Sequence, residues 1–261
     1  MALIFENAAA TGKPDDNRRP GTSCPFCDVE GLENVIKRDG DRIWLMNKYR
    51  TLRDTVQTVL IESAEHEGDL TTYPRAQARE VIRFALSCWD EMISSGRFAS
   101  VLMYKNFGPL SGGSLRHPHL QIVGLEHEDG YAAIRPEHFE GIEVAVLGEV
   151  HVTISLEPVM GFFEANVSMP RCAGAEVRDA FSDALQATAR YVLNEHHGGR
   201  ADSYNLFFYH VAGRTIAKVM PRWVASPYYI GYRLAQANSP ERLAADAAAL
   251  AELAERLAGL G

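Results

Sequence analysis

The stretch of this chain best equipped for chemistry runs Asn106-Phe-Gly-Pro-Leu-Ser111-Gly112-Gly113-Ser114-Leu-Arg-His117-Pro-His119-Leu-Gln121. If residues 117–124 form a strand, alternate side chains share a face, so His117, His119 and Gln121 project together at about 6.6 Å intervals. Leu120 and Ile122 then occupy the other face. Three polar side chains on one face are costly to bury unless each finds a partner. The preceding turn, through Gly112 and Gly113, lets backbone N–H groups approach an anion closely, as phosphate-cradling loops do. A neutral imidazole beside such a turn is placed to attack phosphorus. Histidine suits the role because its reference pKa of about 6.5 leaves it mostly neutral near pH 7. A second pair, Cys24 and Cys27, is spaced Cys-x-x-Cys, which in a reducing compartment points to metal binding or to redox exchange.

These residues need elements to hold them. Residues 42–47 and 56–62 are rich in β-branched and aromatic types and read as strands. Residues 75–96 place Ala78, Val81, Ile82, Ala85, Leu86, Trp89 and Met92 at helical spacing, and Gly96 ends the run. Strands at 100–106 and 117–124 flank the glycine turn. The order then recurs, with strands at 150–157 and 161–168, a helix at 174–195, and strands at 203–211 and 214–223. An Ala/Leu/Glu-rich helix at 239–260 closes the chain. A long helix followed by strand–turn–strand thus occurs twice, about 100 residues apart. The expected fold is α+β, built of two repeats, each an antiparallel sheet flanked by a long helix, with the second repeat degenerate. The corresponding divisions are an irregular N-terminal arm at 1–22, a catalytic repeat at 23–145, a second repeat at 146–238 and a C-terminal helix at 239–261.

Composition limits the function classes. With 34 acidic against 26 basic residues and a net charge of −8, the chain is no general binder of nucleic acid or acidic membranes. No run approaches the roughly eighteen apolar residues that span a bilayer. The first residues lack a basic segment followed by an apolar one, which predicts a cytoplasmic protein. Four cysteines are too few for a disulfide framework at this length.

The 106–121 segment resembles the active-site motif of galactose-1-phosphate uridylyltransferases, the branch of the histidine-triad superfamily that carries His-Pro-His-x-Gln instead of three histidines. Asn106, eleven residues before His117, and Ser114, three before it, match that family's spacing. The resemblance implies that His119 is the nucleophile and that Gln121 hydrogen-bonds the phosphoryl group of the intermediate. It also implies that Ser114 and Asn106 contact phosphates, and that Asn47 holds the nucleotide ribose or base. One structural Zn²⁺ is implied, bound by Cys24 and Cys27 of the turn, by His66 in Glu62-Ser-Ala-Glu-His66, and by His117. Such a Cys₂His₂ set is a closed tetrahedral site with no open position for water. Arg18 and Arg19 resemble a basic pair used on substrate phosphates, an exposed pair in the arm being the alternative. A homodimer is a further implication of the family.

The likeness covers most of residues 18–235, weakly in the second half. There Arg214-Thr-Ile-Ala-Lys218 stands where some members bind a second metal, so a single metal is expected. Lys218 and Arg222 either face a substrate phosphate or lie on a solvated strand edge. Pro227 and Arg233 replace the lysine and glutamate of the family's acceptor segment, which argues against a hexose 1-phosphate acceptor. The expected function is nucleotidyl transfer by double displacement, from a nucleoside diphosphate conjugate, through nucleotidyl-His119, to a phosphorylated acceptor or phosphate. Phosphorolysis or hydrolysis of dinucleoside polyphosphates would share the first half-reaction. A zinc-containing nucleotide-binding protein without catalysis is the remaining alternative.

Overall fold

A computed structural model describes residues 3–17, 21, 23–223 and 226–258. Arg18 and Arg19 lie outside the described residues. The chain divides into two compact units, Met1–Tyr73 with Glu80–Ala133, and Pro74–Arg79 with Ile134–Gly261. The architecture mixes α and β structure, with ten antiparallel strands among the described residues, five in each unit.

In the first unit a four-residue helix α1 (Asn7–Ala10) lies within the arm expected to be irregular, and Phe5 bridges to Leu52 just ahead of it. Then come β1 (Val35–Asp39), β2 (Arg42–Met46), β3 (Thr55–Ile61), α2 (Arg75–Ser94, of which residues 75–79 fall to the second unit), β4 (Ser100–Phe107) and β5 (His119–Leu125). The strand order is β1-β2-β3-β5-β4. The helical stripe read from the sequence is the buried face of α2, where Ala78, Val81, Ile82, Ala85, Leu86 and Trp89 are each at most 3% exposed. Trp89 Nε1 donates to the Val101 carbonyl at 3.0 Å, tying α2 to β4. Gly96, with φ +64, takes the left-handed conformation that stops the helix. Strand β1 escaped the sequence reading because three of the five residues of Val-Ile-Lys-Arg-Asp are charged and its residues are only partly buried or exposed, as an edge strand allows.

Register decides which side chains meet. Ile43 pairs with Ile61 and Ile61 with His119; Leu45 pairs with Val59, Val59 with Gln121, and Gln121 with Tyr104. Paired residues share a face, so His119 and Gln121 stand in rows with Ile43, Ile61, Leu45 and Val59. Phe26, Val29, Leu32 and Val35 pack against those apolar residues, and thereby the cysteine turn covers this face. Burying these hydrophobes is what brings the turn over the strand that carries the two polar residues.

Strand β5 begins two residues later than expected. Pro118 has no N–H to give a ladder, and His117 sits in a bend ahead of it. The Pro118 carbonyl still accepts from Glu62 N at 3.0 Å, so the approach to β5 is held against β3.

The second unit contains β6 (Gly141–Leu147), β7 (Val150–Ser155), β8 (Ala165–Pro170), α3 (Ala175–Asn194), β9 (Tyr204–Val211), β10 (Arg214–Pro221), α4 (Pro227–Tyr232) and α5 (Pro240–Ala258). Its strand order is β6-β7-β8-β10-β9, and α5 packs on β6 and α3. Lys218 neither lies on a solvated edge nor faces a phosphate. Strand β10 runs between β8 and β9, and Lys218 is 0% exposed. Its ammonium donates to Glu164 Oε2 at 2.9 Å, Ser155 Oγ at 2.9 Å and the His138 carbonyl at 2.8 Å. A charge buried this deeply persists only when paired, which an isolated sequence window cannot reveal. Arg222 is half-buried beyond the end of β10, with Nη1 3.3 Å from the Met160 sulfur. Among the described residues, no helix is long and apolar enough to cross a membrane.

Candidate functional site

Cys24, Cys27, His66 and His117 converge. One ligand atom from each lies within 4.8 Å of all the others. Cys27 Sγ is 3.4 Å from His66 Nδ1 and 3.5 Å from His117 Nδ1. The turn supplies both thiols through the Cys27 N to Cys24 carbonyl bond of 3.2 Å, and Phe26 between them packs edge-on to the His117 and His119 rings. His117 Nε2 faces the Ser63 carbonyl at 2.9 Å. A carbonyl only accepts, so the proton of this imidazole sits on Nε2 and the lone pair on Nδ1 points toward the cysteines. Burial pushes the Cys24 thiol up to about 11. A redox Cys-x-x-Cys pair relies on a lowered thiol pKa, the opposite of the direction at Cys24.

His119 is oriented by the same reasoning. Its Nδ1 lies 2.8 Å from the carbonyl of His117 and must carry the proton. Nε2 therefore holds the free lone pair. Burial drives the imidazole pKa down to about 4, and the nearby Lys105 and Lys13 ammonium groups act in the same direction, against the pull of the His117 carbonyl. The ring is neutral at pH 7 and nucleophilic at Nε2. The two histidines of His-Pro-His are thus used differently. His117 turns its ring to the cysteine–histidine cluster and its carbonyl to His119.

His119 and Gln121 line a cavity of about 620 Å³, together with Gly112, Gly113, Ser114 and Asn47. That volume is in the range of small-molecule sites. Apolar walls come from Phe26, Leu32, Leu45 and Val59, and charge from Lys13, Lys48 and Arg50 against Asp28 and Glu33. Tyr104 O–H donates to Gln121 Oε1 at 3.1 Å, and burial raises the phenol to about 12, keeping it a donor. With its oxygen so occupied, Gln121 has its amide N–H groups to offer. Asn106 does not line the cavity. It stands behind the glycine turn, where a Cβ on Gly113 would come within 3.1 Å of the Asn106 Cβ.

The turn itself is built on Gly112 at φ +90, where nothing lies within 4 Å of an added Cβ. Gly112→Ala therefore isolates backbone strain from crowding. It is expected to lower unfolding stability by about 1–3 kcal/mol, read from the denaturant midpoint. The amides of the turn are not all bare, since Gly113 N is 3.3 Å from Ser111 Oγ.

Sequence reading passed over three residues here. Tyr104 and Phe26 carried a weak signal, the one as an aromatic in a strand and the other as an aromatic between the cysteines. Asp16, whose Oδ1 accepts from Arg116 N at 2.7 Å, carried none. It lies in a polar arm without periodicity and is placed only by tertiary contact.

Two family models, described as the N-terminal and C-terminal domains of DUF4931, a domain of unknown function, match residues 5–128 and 131–250. A crystal structure of a DUF4931 family protein from Bacillus cereus ATCC 10987 is 36% identical, with a TM-score of 0.75 over 84% of this chain and 98% of that one. A uridylyltransferase structure is 17% identical, with a TM-score of 0.68 over 91% of this chain and 93% of that one. An ADP-glucose phosphorylase from Arabidopsis thaliana with bound ADP-glucose is 13% identical, with a TM-score of 0.71 over 94% of each chain. At such identities the last two likenesses concern the fold. No curated protein matches.

Proposed function

The chain belongs to the DUF4931 family, and we propose that this member is a nucleotidyltransferase working by double displacement through a nucleotidyl-His119 intermediate. The observation that carries the reading is the tautomer of His119, with Nδ1 committed to the His117 carbonyl and Nε2 left as the lone pair of a ring lining the cavity. The likeness in fold to a uridylyltransferase and to an ADP-glucose phosphorylase supports it. So does the strand order. Read from β1 and from β6, both units run first, second, third, fifth, fourth, with the long helix between the third and fourth strands. We take this as two histidine-triad-like repeats, the second without the chemistry, and the chain as close to the uridylyltransferase branch.

In the first half-reaction Nε2 of His119 attacks the α-phosphorus of a nucleoside diphosphate conjugate. The N–P bond forms as the bond to the bridging oxygen breaks, and the phosphorylated remainder leaves with the electron pair. Gln121 N–H groups and the Gly112–Ser114 turn stabilise the charge on the phosphoryl oxygens. As positive charge develops on the ring, Nδ1–H is held by the His117 carbonyl. An acceptor oxygen, from phosphate or a phosphorylated metabolite, then displaces His119 from phosphorus and restores the neutral imidazole.

Zn²⁺ fits the Cys24, Cys27, His66 and His117 cluster. Bond lengths of about 2.3 Å to sulfur and 2.0 Å to nitrogen set S···N edges of a tetrahedron near 3.5 Å, close to the 3.4 and 3.5 Å found. A bound zinc would serve structurally, clamping the cysteine turn to the segment that presents the nucleophile. Four free cysteines suit a reducing compartment such as the cytoplasm.

Incubation of the protein with UDP-sugars, ADP-sugars and diadenosine polyphosphates, followed by intact-mass measurement, is the test. We expect a covalent adduct of one nucleoside monophosphate, whose mass names the base. Adding phosphate or a sugar phosphate should discharge it. Failure of every donor to leave an adduct would reject the covalent mechanism and favour nucleotide binding alone.

A further inference from the structure

Asp16 is 5% exposed, in an arm whose neighbouring residues are mostly polar. Burying a carboxylate costs several kcal/mol unless both oxygens are provided for. Oδ1 accepts from Arg116 N at 2.7 Å. Oδ2 is buried without a hydrogen-bond partner and lies 3.7 Å from His66 Nε2. The orphaned oxygen thus faces the far nitrogen of the metal cluster's most exposed histidine, whose side chain is 35% accessible.

We infer that Asp16 is the carboxylate that orients His66 for the metal, and that through it the N-terminal arm is fastened to the metal centre. When Nδ1 of His66 takes a cation, the ring proton must reside on Nε2, the atom facing Asp16. A shift of about 1 Å brings that pair to ordinary hydrogen-bond length. The metal thereby supplies the second donor that Asp16 lacks, and Asp16 makes His66 a better ligand. The next residue extends the link. Asn17 Nδ2 donates to the Gly113 carbonyl at 3.0 Å and Asn17 N to the Ser114 carbonyl at 3.3 Å. One short piece of arm therefore joins a metal ligand to the glycine turn of the cavity. The inference rests on the metal reading of the cluster and not on the proposed reaction. Asp16 is a positioning residue, acting through His66 and the turn.

The test compares wild type with Asp16→Asn, which keeps an oxygen for Arg116 N but removes the carboxylate facing His66. Zn²⁺ affinity, measured by competition with a chromophoric chelator, should fall about 10- to 100-fold in the variant. The Co²⁺-substituted absorption spectrum should retain its thiolate bands, because all four ligands remain. Melting temperatures of the two metal-free proteins should agree, and a gap should open only on adding Zn²⁺. Equal Zn²⁺ affinities would overturn the inference, as would a melting gap of the same size with and without metal. In wild type alone, hydrogen exchange at the Arg116 amide should slow on Zn²⁺ addition, and an unchanged rate counts against the link. Wild type that binds no Zn²⁺ would reject the metal reading itself, whereas tight wild-type binding with an equally tight variant would reject only the role of Asp16.

Discussion

His119→Ala is expected to abolish the nucleotidyl adduct and to lower transfer by about 10⁴-fold or more, roughly 5.4 kcal/mol of barrier at 1.36 kcal/mol per tenfold. The magnitude follows from the role. Removing a covalent nucleophile takes away a whole reaction path, whereas removing an oxyanion donor weakens an existing one by about 10²–10³-fold. Gln121→Ala should therefore fall well short of His119→Ala in effect, slowing the transfer without erasing the adduct. His119 is 7% exposed among apolar neighbours, and its truncation leaves the Ile43–Ile61 and Leu45–Val59 rows in place, so the fold should survive. Circular dichroism and the zinc content of the variant check this. A His119→Ala protein that still accumulates labelled nucleotide would remove His119 from the mechanism and direct attention to another cavity residue.

Removal of the metal is expected to have the second-largest effect, on both stability and activity. A ligand present at a thousand times its dissociation constant stabilises the state that binds it by about 4.1 kcal/mol. For a chain of this size that corresponds to a melting temperature lowered by about 8–16 °C on chelation. Cys27→Ser should reproduce most of the loss, because Cys27 Sγ touches both histidines of the cluster. Transfer should fall with stability for a specific reason. The residue that would ligate the metal through Nδ1 also holds the proton of His119 through its carbonyl, so loosening His117 would loosen the tautomer of the proposed nucleophile. Restoring Zn²⁺ should recover both properties in wild type and neither fully in Cys27→Ser. A protein isolated without metal, whose melting temperature ignores added Zn²⁺, would contradict this account.

The two effects separate by design. The metal variant changes melting temperature and transfer together, while His119→Ala changes transfer alone. The contrast tests whether the cluster is scaffold and the cavity is the reacting centre.

Much of the first unit was legible in the residues themselves. The helical stripe of α2 reads from apolar spacing because a helix of period 3.6 must bury one side. His119 and Gln121 read as neighbours because strand geometry alternates faces. The cysteine spacing and the glycine turn are equally local. In the same sense, the long helix of the second unit and the strand pair that follows it read from apolar spacing and β-rich runs. Tertiary structure decided what depends on partners distant along the chain. Register across β3 and β5, not spacing, sets Val59 beside Gln121 and Ile61 beside His119. The different uses of His117 and His119 depend on two carbonyls, of Ser63 and of His117 itself, whose directions no side-chain pattern encodes. Lys218 read as a surface or phosphate-facing cation until Glu164, Ser155 and the His138 carbonyl came to it from elsewhere in the chain. Asp16 gave no sign of its place beside His66. Local periodicity reports which side chains must leave water. Which donor meets which acceptor in the space so closed is settled only when separate segments pack, because hydrogen bonds and ion pairs are directional and hydrophobic burial is not.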